Sequence, residues 1–393
     1  MPHLHIKSFI QSTLPSKEEE SEFLFLATNS TDKNEHLICV NQEDEKFFIL
    51  AKQTDYKNLL KSDKLTRPSE NYITKKALLN YAKFSKLEII SSNVNDEKQK
   101  NMHLEDSSAL KKIEYFVTNF PLEKKICIEV GFGSGRHLIH QAAQNPDLLF
   151  IGIEIHKPSI EQVLKQISIQ ELDNVLLLDY DARLFMELVP SNIVAKIFVH
   201  FPVPWDKKER RRVINRAFLD ESIRVLGENG RLELRTDSEN YFTYSFATFI
   251  ALQNVKLELN KNQNIAVTSK YEDRWRLQEK NIYDITMIVN EHSQELVEKR
   301  TFDFDGIPKN LDTLKELNQQ TFKYENGFIH FERLYTIEDG RILFRLSMGS
   351  FDRSEHLYLI VSQSDGASYF PRTPVKTATN LQIHQHLKEL LYG

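Results

Sequence analysis

The stretch Lys125–Gly135, which reads KICIEVGFGSG, decides the fold of the central part of the chain. It begins with an apolar run of the kind found in a strand that is buried on both faces. Glycines follow at Gly131, Gly133 and Gly135, and glycine allows both a sharp turn and the close approach of a ligand to the backbone. A helix is predicted to begin directly after the last glycine. Strand, glycine turn and helix together predict the first unit of a doubly wound nucleotide-binding sheet.

The glycine pattern is G-x-G-x-G, and an acid, Glu129, lies two residues before the first glycine. This arrangement resembles the first motif of the S-adenosylmethionine-dependent methyltransferases, whose methyl donor carries an ammonium and a sulfonium group. A carboxylate at the end of a strand attracts such positive charge. The resemblance therefore implies that Glu129, Gly131, Gly133 and Gly135 bind the methyl donor. Taken alone, the same glycines also fit a turn that only connects a strand to a helix.

The composition of the chain is that of an ordinary soluble protein. It has 393 residues, 40% hydrophobic and 27% charged, a length that predicts two or three domains. Because the net charge is −5, a nucleic-acid partner has to be bound by a local basic patch. The two cysteines show no metal-ligand spacing, and the chain has no secretory signal and no run of about 18 apolar residues. We therefore expect a cytoplasmic protein without a metal site or a membrane segment.

Further strands of the same sheet are predicted after the glycine turn. They are Leu148–Glu154, Asn174–Leu178, Lys196–Phe201 and Arg231–Arg235. Strands that alternate with helices predict a parallel sheet with right-handed crossovers, and ligands bind at the carboxyl edge of such sheets. Glu154, Asp181 and Asp237 each lie at the end of a predicted strand. We expect Glu154 to accept hydrogen bonds from the ribose of the donor and Asp181 from its adenine amino group.

The stretch Phe201–Arg212, which reads FPVPWDKKERRR, resembles the bacterial tRNA (guanine-N7)-methyltransferases. Their pattern at this point is F-P-D-P-W followed by basic residues. Further matches are GIEIHKP at 152–158, Asp181-Ala182, Thr236-Asp237 and SKYE at 269–272, so that the resemblance covers about residues 125–289. It implies a Rossmann-like core, S-adenosyl-L-methionine as the cofactor, tRNA as the partner, and methyl transfer to N7 of a guanine in the tRNA variable region.

The substrate side of the site is predicted from the same motifs. Guanine N7 has no proton to lose, so its attack on the methyl group needs no general base, and orientation supplies much of the rate. We assign the catalytic role to Asp237, whose carboxylate can accept from N1–H and the amino group of guanine. Lys207 is expected on a phosphate or a base edge. The resemblance implies that the residues closing over the substrate are Ser269, Lys270, Tyr271 and Glu272.

Positive charge is concentrated beside the predicted donor site. The cations are Lys207, Lys208, Arg210, Arg211, Arg212 and Arg216. Such a run also fits a solvated helix face, but its place next to a strand end favours contacts to RNA phosphates. Trp205 either stacks on a base or packs against the domain. We interpret the nearby histidines as surface or core residues, because His137, His140, His156 and His200 lack metal-ligand spacing.

Val203 departs from the family pattern, which has an aspartate at this position. Valine neither accepts a hydrogen bond nor carries charge. Either no acid is required there, which the chemistry of N7 favours, or Asp206 or another acid replaces it. Two other functions remain open: a methyltransferase for a different RNA or a small molecule, and a non-catalytic tRNA-binding partner that keeps the fold. A nicotinamide dehydrogenase agrees less well with the glycine spacing.

The regions outside the central part carry no catalytic motif. We divide the chain into an α+β accessory segment at 1–92, a linker at 93–108, a catalytic domain at 109–292 and a β-rich accessory domain at 293–393. The predicted fold class is α/β, with a mostly parallel, doubly wound methyltransferase core that is flanked by smaller β-rich or α+β segments. The flanking segments either contact RNA or serve stability and assembly, singly or as one β-rich body.

Overall fold

The computed structural model describes residues 2–54, 58–68, 71–94, 108–118, 120–121, 123–265, 267–268, 270–295 and 300–393. The chain divides into two compact units. We call Asn101–Lys299 the central unit, and we call Met1–Lys100 together with Arg300–Gly393 the terminal unit. The sequence predicts an accessory region at each end of the chain, and the structure groups the two into one unit. Most of the predicted linker, 95–107, lies outside the described residues.

The described residues form strands and helices in both units. In chain order, the strands are β1 (His3–Ile6), β2 (Ser16–Glu18), β3 (Ser21–Asn29), β4 (Glu35–Gln42), β5 (Glu45–Lys52), β6 (Asn58–Ser62), β7 (Ile89–Ser92), β8 (Leu110–Lys111), β9 (Lys125–Val130), β10 (Leu148–Ile153), β11 (Val175–Leu178), β12 (Val194–His200), β13 (Leu226–Thr236), β14 (Val255–Lys261), β15 (Tyr283–Val289), β16 (Thr321–Lys323), β17 (Phe328–Ile337), β18 (Ile342–Gly349), β19 (Ser354–Ser362) and β20 (Gly366–Phe370). The helices are α1 (Asn71–Phe84), α2 (Ile113–Thr118), α3 (Arg136–Gln144), α4 (Lys157–Ile169), α5 (Ala182–Leu188), α6 (Arg216–Val225), α7 (Glu239–Ile250), α8 (Lys270–Leu277), α9 (Leu311–Lys315) and α10 (Ala378–Tyr392).

The terminal unit is organised by one antiparallel sheet. Its strand order is β20-β19-β18-β17-β3-β4-β5-β6-β1-β7, with β16 paired to β17 and β2 paired to β3. The two ends of the chain meet where β3 pairs with β17, with Thr28 opposite Thr336. This pairing joins strands from both ends of the chain into a continuous sheet.

Local sequence explains how the terminal unit forms its turns and its core. Glu43 and Asp44, between β4 and β5, have φ angles of 53° and 61°. Positive φ at both central residues is what the tight turns of antiparallel hairpins require. Helices α1 and α10 each bury an apolar residue at every fourth position, which forms one stripe along a helix. The stripes are Ile73, Ala77 and Tyr81 in α1, and Ile383, Leu387 and Leu391 in α10.

The central unit is built on a mixed sheet with the order β14-β15-β13-β12-β9-β10-β11-β8. The strands from β8 to β13 pair in parallel along this order. Strand β15 is antiparallel to both β13 and β14. The carboxyl ends of the parallel strands are neighbours, since Val130 lies opposite Ile153 in β10 and opposite Val199 in β12. The loops after these strands therefore share one edge of the sheet.

Helices pack on this sheet through apolar side chains. Leu138 of α3 and Val163 of α4 belong to a buried cluster with Phe150 of β10 and Leu177 of β11. This cluster fixes the helix that follows the glycine turn against the sheet. No helix within the described ranges combines the length and the apolar character needed to cross a membrane.

Candidate active site at the carboxyl edge of the central sheet

The turn after β9 needs its glycines for two different reasons. Gly131, Gly133 and Gly135 have φ angles of 70°, 52° and 69°, which side chains with a Cβ atom rarely adopt. A Cβ on Gly135 would lie 2.2 Å from Cγ2 of Val163 in α4, so this glycine permits helix packing. A Cβ on Gly131 would have no atom within 4 Å. Open space therefore remains beside the backbone where β9 ends, as the binding of a ligand there requires.

Glu154, at the end of β10, holds the glycine turn in place. Its Oε2 accepts from the N–H of Gly133 at 3.0 Å, and its Oε1 accepts from the N–H groups of Ile155 at 2.8 Å and His156 at 3.0 Å. The two oxygens of a carboxylate offer about four acceptor positions. Three of them are used within the protein, which leaves about one for a ligand hydroxyl. Fixing the turn is a role that the sequence motif did not reveal.

Glu129, at the end of β9, is buried and belongs to a chain of acids and histidines. Nδ1 of His137 lies 2.7 Å from Oε2 of Glu129, and the His137 ring centroid lies 4.5 Å from that of His200. Nε2 of His200 in turn lies 3.1 Å from Oε1 of Glu233. Burial by itself would lower the pKa of His137, but the charge of Glu129 and the hydrogen bond to it outweigh burial, so this pKa is raised. The hydrogen bond between His137 and Glu129 thus fixes the orientation of the Glu129 side chain.

The two histidines of this chain were expected to be surface or core residues. They are buried or nearly so, and each is also paired with a carboxylate. A signal for the first pair is present in the sequence, because Glu129 ends a strand and His137 lies in the first turn of the next helix. Nothing local signals the second pair, since Glu233 lies 33 residues from His200.

Asp181 begins α5 rather than standing free at the end of β11. Its Oδ1 accepts from the backbone N–H of Arg183 at 2.9 Å, which is the geometry of a helix N-cap. Its Oδ2 accepts from Nη2 of Arg183 at 2.6 Å. The carboxylate is partly exposed. Asp181 therefore caps α5. Its hydrogen bond to an adenine amino group stays a prediction.

The loop after β12 is held by a buried arginine. Arg212 is 0% exposed, and its Nε donates to the carbonyl oxygen of Pro204 at 2.8 Å. Its guanidinium lies 4.3 Å from the ring centroid of Tyr244 and forms ion pairs with Glu209 at 3.2 Å and Asp206 at 3.6 Å. Arg212 therefore anchors the loop. Its burial removes it from the predicted set of phosphate-binding cations.

The other cations of this run differ in their surroundings. Lys207, Lys208 and Arg210 are exposed. Arg211 places its guanidinium 5.0 Å from the ring centroid of Trp205, and Arg216 pairs with Asp220 of its own helix at 2.8 Å. The positive surface beside the sheet edge is thus smaller than the sequence suggested.

Val203 lies in the same loop and is 59% exposed. The acid nearest to it in sequence, Asp206, accepts from Nδ2 of Asn240 at 2.7 Å in addition to its contact with Arg212. Asp206 is therefore tied to α7 and to the loop anchor. These contacts give Asp206 a structural function. They do not indicate that it replaces the aspartate that the family has at position 203.

Helix α8 is attached to the sheet edge by two ion pairs. Glu272 pairs with Nη2 of Arg235 at 2.9 Å, and Asp273 pairs with Nη1 of Arg136 at 2.6 Å. Arg136 directly follows the glycine turn, and Arg235 lies two residues before Asp237. The helix is therefore fixed next to both the predicted donor side and the predicted substrate side of the edge.

The structure describes only some of the residues that were predicted for the substrate side. Glu272 is buried against Arg235, so it anchors α8 and is not exposed to a substrate. Ser269 lies outside the described residues, as do the side chains of Lys270 and Tyr271. Asp237 is partly exposed, and its Oδ2 accepts from Nζ of Lys280 at 3.0 Å. Within the described part of the chain, no group of three or more His, Cys, Asp or Glu side chains is arranged to hold a metal ion.

Comparisons with known proteins find a family model that matches the central part of the chain and curated relatives that match all of it. A family model described as "Putative methyltransferase" matches residues 123–285. The curated tRNA (guanine-N(7)-)-methyltransferase of Wolinella succinogenes is 41% identical over 397 residues, which is 100% of both chains. Those of Campylobacter jejuni and Helicobacter hepaticus are 37% and 35% identical, over 100% of this chain and 98% and 99% of theirs. A solved structure titled "Structure of an antibiotic related Methyltransferase" is 20% identical over 44% of this chain and 89% of its own, with a TM-score of 0.32. The similarity to the curated relatives thus includes both compact units.

Proposed function

Since the chain belongs to the tRNA (guanine-N7)-methyltransferase family, we propose that it transfers a methyl group from S-adenosyl-L-methionine to N7 of a guanine in the variable region of tRNA. The observation that carries this proposal within the structure is the shared edge of the central sheet. Open space at Gly131, the carboxylate of Asp237 and the anchored helix α8 all belong to that edge. We also propose a cytoplasmic location, which a tRNA substrate supports.

We propose the central unit as a Rossmann-like, doubly wound methyltransferase core. The parallel pairing from β8 to β13 supports this assignment, with the antiparallel β15 inserted between β13 and β14. The catalytic domain comprises 109–292. The segments 1–92 and 293–393 act together as an accessory body, which the pairing of β3 with β17 supports.

The residues at the sheet edge fit S-adenosyl-L-methionine, which supplies a methyl group on a positively charged sulfur. Gly131 leaves room beside the backbone, and Gly133 and Gly135 give the turn its shape. The carboxylate of Glu129, whose orientation is fixed by the hydrogen bond with His137, attracts positive charge. Glu154 retains about one acceptor position for a hydroxyl group. Asp181 completes the proposed donor-binding set at the end of β11.

The chain's own contribution to the reaction is orientation. Guanine N7 is a lone-pair acceptor, so the protein does not have to remove a proton. Asp237 accepts from N1–H and the amino group of guanine and thereby fixes the plane and direction of the base. Lys207 is exposed in the neighbouring loop and contacts a phosphate or a base edge. Holding the reacting atoms in line in this way supplies a large part of the rate.

This mechanism also explains why Val203 is tolerated. An acid in that loop is not needed as a base, and Asp206 is tied to Asn240 and Arg212 rather than directed at a substrate. The carboxylate at Asp237 supplies the acceptor that guanine requires.

The test is incubation of the protein with labelled methyl donor and unmodified tRNA, followed by nucleoside analysis. We expect labelled 7-methylguanosine, mapped to the variable region. A different modified nucleoside would identify another RNA methyltransferase. Binding of tRNA without any label transfer would identify a non-catalytic partner.

Asp237→Ala is expected to lower methylation by at least about 100-fold, because the acceptor that orients guanine is lost. Donor binding, measured by calorimetry, is expected to persist, since the donor is held from the other side of the edge. Asp147→Ala, at an exposed acid directly before β10 and therefore at the opposite edge of the sheet, serves as the matched acid-to-alanine control and is expected to leave methylation unchanged. Normal turnover of Asp237→Ala would remove this residue from the mechanism.

A further inference from the structure

Trp275, Lys280 and Asp237 form a small cluster beside the sheet edge, which we call the Trp275 cluster. Nζ of Lys280 lies 3.6 Å from the ring centroid of Trp275 and 3.0 Å from Oδ2 of Asp237. The backbone supports this arrangement, because the N–H of Lys280 donates to the carbonyl oxygen of Trp275 at 3.0 Å. One ammonium group thus contacts an indole face and a carboxylate at the same time.

The attachment of α8 places the Trp275 cluster at the proposed site. Trp275 lies three residues after Glu272, so the two side chains share one side of the helix. Glu272 is bound to Arg235, which precedes Asp237 by two residues on β13. Asp273 is bound to Arg136, directly after the glycine turn. Trp275 and Asp237 are therefore held together where the purine has to meet the methyl donor.

The two partners of Lys280 are the two groups that a guanine requires. An indole face stacks on a base, and a carboxylate accepts from N1–H and the amino group. After methylation at N7 the purine is a cation, which strengthens both the contact with the aromatic face and the attraction to the carboxylate. The ammonium of Lys280 has the charge of that product and occupies both partners.

We infer that Trp275 is the stacking surface for the target guanine and that Lys280 fills this subsite in the free enzyme, an inference that rests on the proposed function. Lys280 is 42% exposed, and exposed ion pairs contribute little to stability, so the base can displace it. When Lys280 returns to Trp275 and Asp237, it competes with the cationic product. Trp275 is then a specificity residue for a purine, and Lys280 promotes product release.

The chain contains two tryptophans, Trp205 and Trp275, so single-tryptophan proteins report on each ring separately. Trp205→Phe leaves Trp275 as the fluorescent group, and Trp275→Phe leaves Trp205. Each protein is titrated with 7-methylguanosine 5′-monophosphate and with GMP. We expect both nucleotides to quench the fluorescence of Trp205→Phe, with a several-fold higher affinity for the methylated one. We expect no quenching in Trp275→Phe. Quenching that appears only in Trp275→Phe, or in neither protein, overturns the inference.

Lys280→Met tests the role of the lysine as an occupant of the subsite. We expect the methylated nucleotide to bind about tenfold more tightly in Trp205→Phe/Lys280→Met than in Trp205→Phe, because its competitor is gone. In tRNA methylation by Lys280→Met, KM and kcat are both expected to fall, since substrate and product are held longer. Unchanged or weaker nucleotide binding would show that Lys280 does not occupy the subsite.

Substitutions of Trp275 separate stacking from packing. Trp275→Leu is expected to lower kcat/KM for tRNA about tenfold, whereas Trp275→Phe retains most of it because an aromatic face remains. Equal activity of the two variants would show that Trp275 only packs against its neighbours and does not stack on a base. This result would overturn the inference. Wild-type methylation of tRNA is measured in parallel. If the wild type forms 7-methylguanosine while the nucleotide titrations fail, the inference alone is lost; if it forms none, the proposed function is lost as well.

Discussion

In the terminal unit, the buried carboxylate of Glu35 accepts from Arg333 at 2.6 Å, Tyr335 at 2.8 Å and Asn29 at 3.0 Å. In the central unit, the buried guanidinium of Arg235 lies between Glu272 and Asp284, at 2.9 Å from each. The first cluster connects β4 with β17, which come from opposite ends of the chain. The second connects β13 with β15 and with α8 at the proposed site.

Strand direction explains this difference. Antiparallel strands end alternately at the two edges of a sheet, so polar residues at their ends are divided between those edges. Parallel strands all end at one edge, and their polar end residues collect there. Buried charge in the terminal unit therefore cross-links strands, whereas at the edge of the central unit it also attaches α8 beside the residues of the proposed site. Variants of the two clusters test this distinction.

The largest effect is expected for Arg235→Met. Removing the guanidinium leaves Glu272 and Asp284 buried without their shared cation, which costs about 3–5 kcal/mol in the free energy of unfolding. Methylation is expected to be lost as well, because α8 loses one of its anchors. Denaturant unfolding and tRNA methylation measure the two effects. Arg231→Met, an exposed position on the same strand, is the control and is expected to change neither.

Glu35→Gln is expected to affect stability alone. Its pKa is lowered to about 2, because three hydrogen bonds and the charge of Arg333 together outweigh burial, which would raise it. Because this pKa is lowered, the ionised carboxylate stabilises the folded protein. The stabilisation is fully present above pH 4.5 and is lost as the pH falls towards about 2. We expect the variant to be about 2 kcal/mol less stable at neutral pH, with a difference that shrinks in acid.

The readout that decides this prediction is methylation under conditions in which both proteins are folded. The activity of Glu35→Gln should then equal that of the wild type. A loss of turnover without a loss of structure would contradict the proposal that the central unit alone carries the catalytic site.

The smallest effect is expected for His137→Gln. The pKa of His137 is raised above 6.5, because the charge of Glu129 and the hydrogen bond to it outweigh burial. Its pairing with Glu129 therefore stabilises the fold fully below pH 6.5, and this contribution is lost as the pH rises through the raised value. We expect the variant to be about 1 kcal/mol less stable at pH 6, measured by thermal unfolding.

His140→Gln, on the same helix, provides the control for this measurement. At pH 6 its stability is expected to stay close to that of the wild type. A constant difference between His137→Gln and the wild type from pH 6 to pH 9 would show that the charge of His137 is not involved.

The sequence alone is sufficient to predict structural features that depend on residues close together in the chain. The run before Gly131 and the glycine turn itself lie where the pattern predicts, and the predicted strand Asn174–Leu178 corresponds to β11 (Val175–Leu178). The polar ends of these strands share one edge because parallel pairing follows from the alternation of strands with helices. The roles of Glu129, Asp181 and Asp237 stay predictions.

Features that depend on distant contacts could not be read from the sequence. Arg212 belongs to a run of basic residues whose other side chains are exposed. Its burial depends on contacts such as that with Tyr244, which is distant in sequence and could not be predicted from the run itself. Glu272 matches a substrate motif, yet it pairs with Arg235, 37 residues away. Likewise, no local pattern indicates that β3 pairs with β17.

That pairing has a consequence for how the protein is made. The stretch Ala27–Asn29 of β3 pairs with β17, which is translated only after the whole central unit. At about 5–20 residues per second, about 15 to 60 seconds pass between the synthesis of Asn29 in β3 and that of Ile337 in β17, and during this time the strand edge has no partner from β17. An open strand edge invites pairing with other chains. All strands of the central sheet are therefore translated before the terminal unit receives the strands that complete its own sheet.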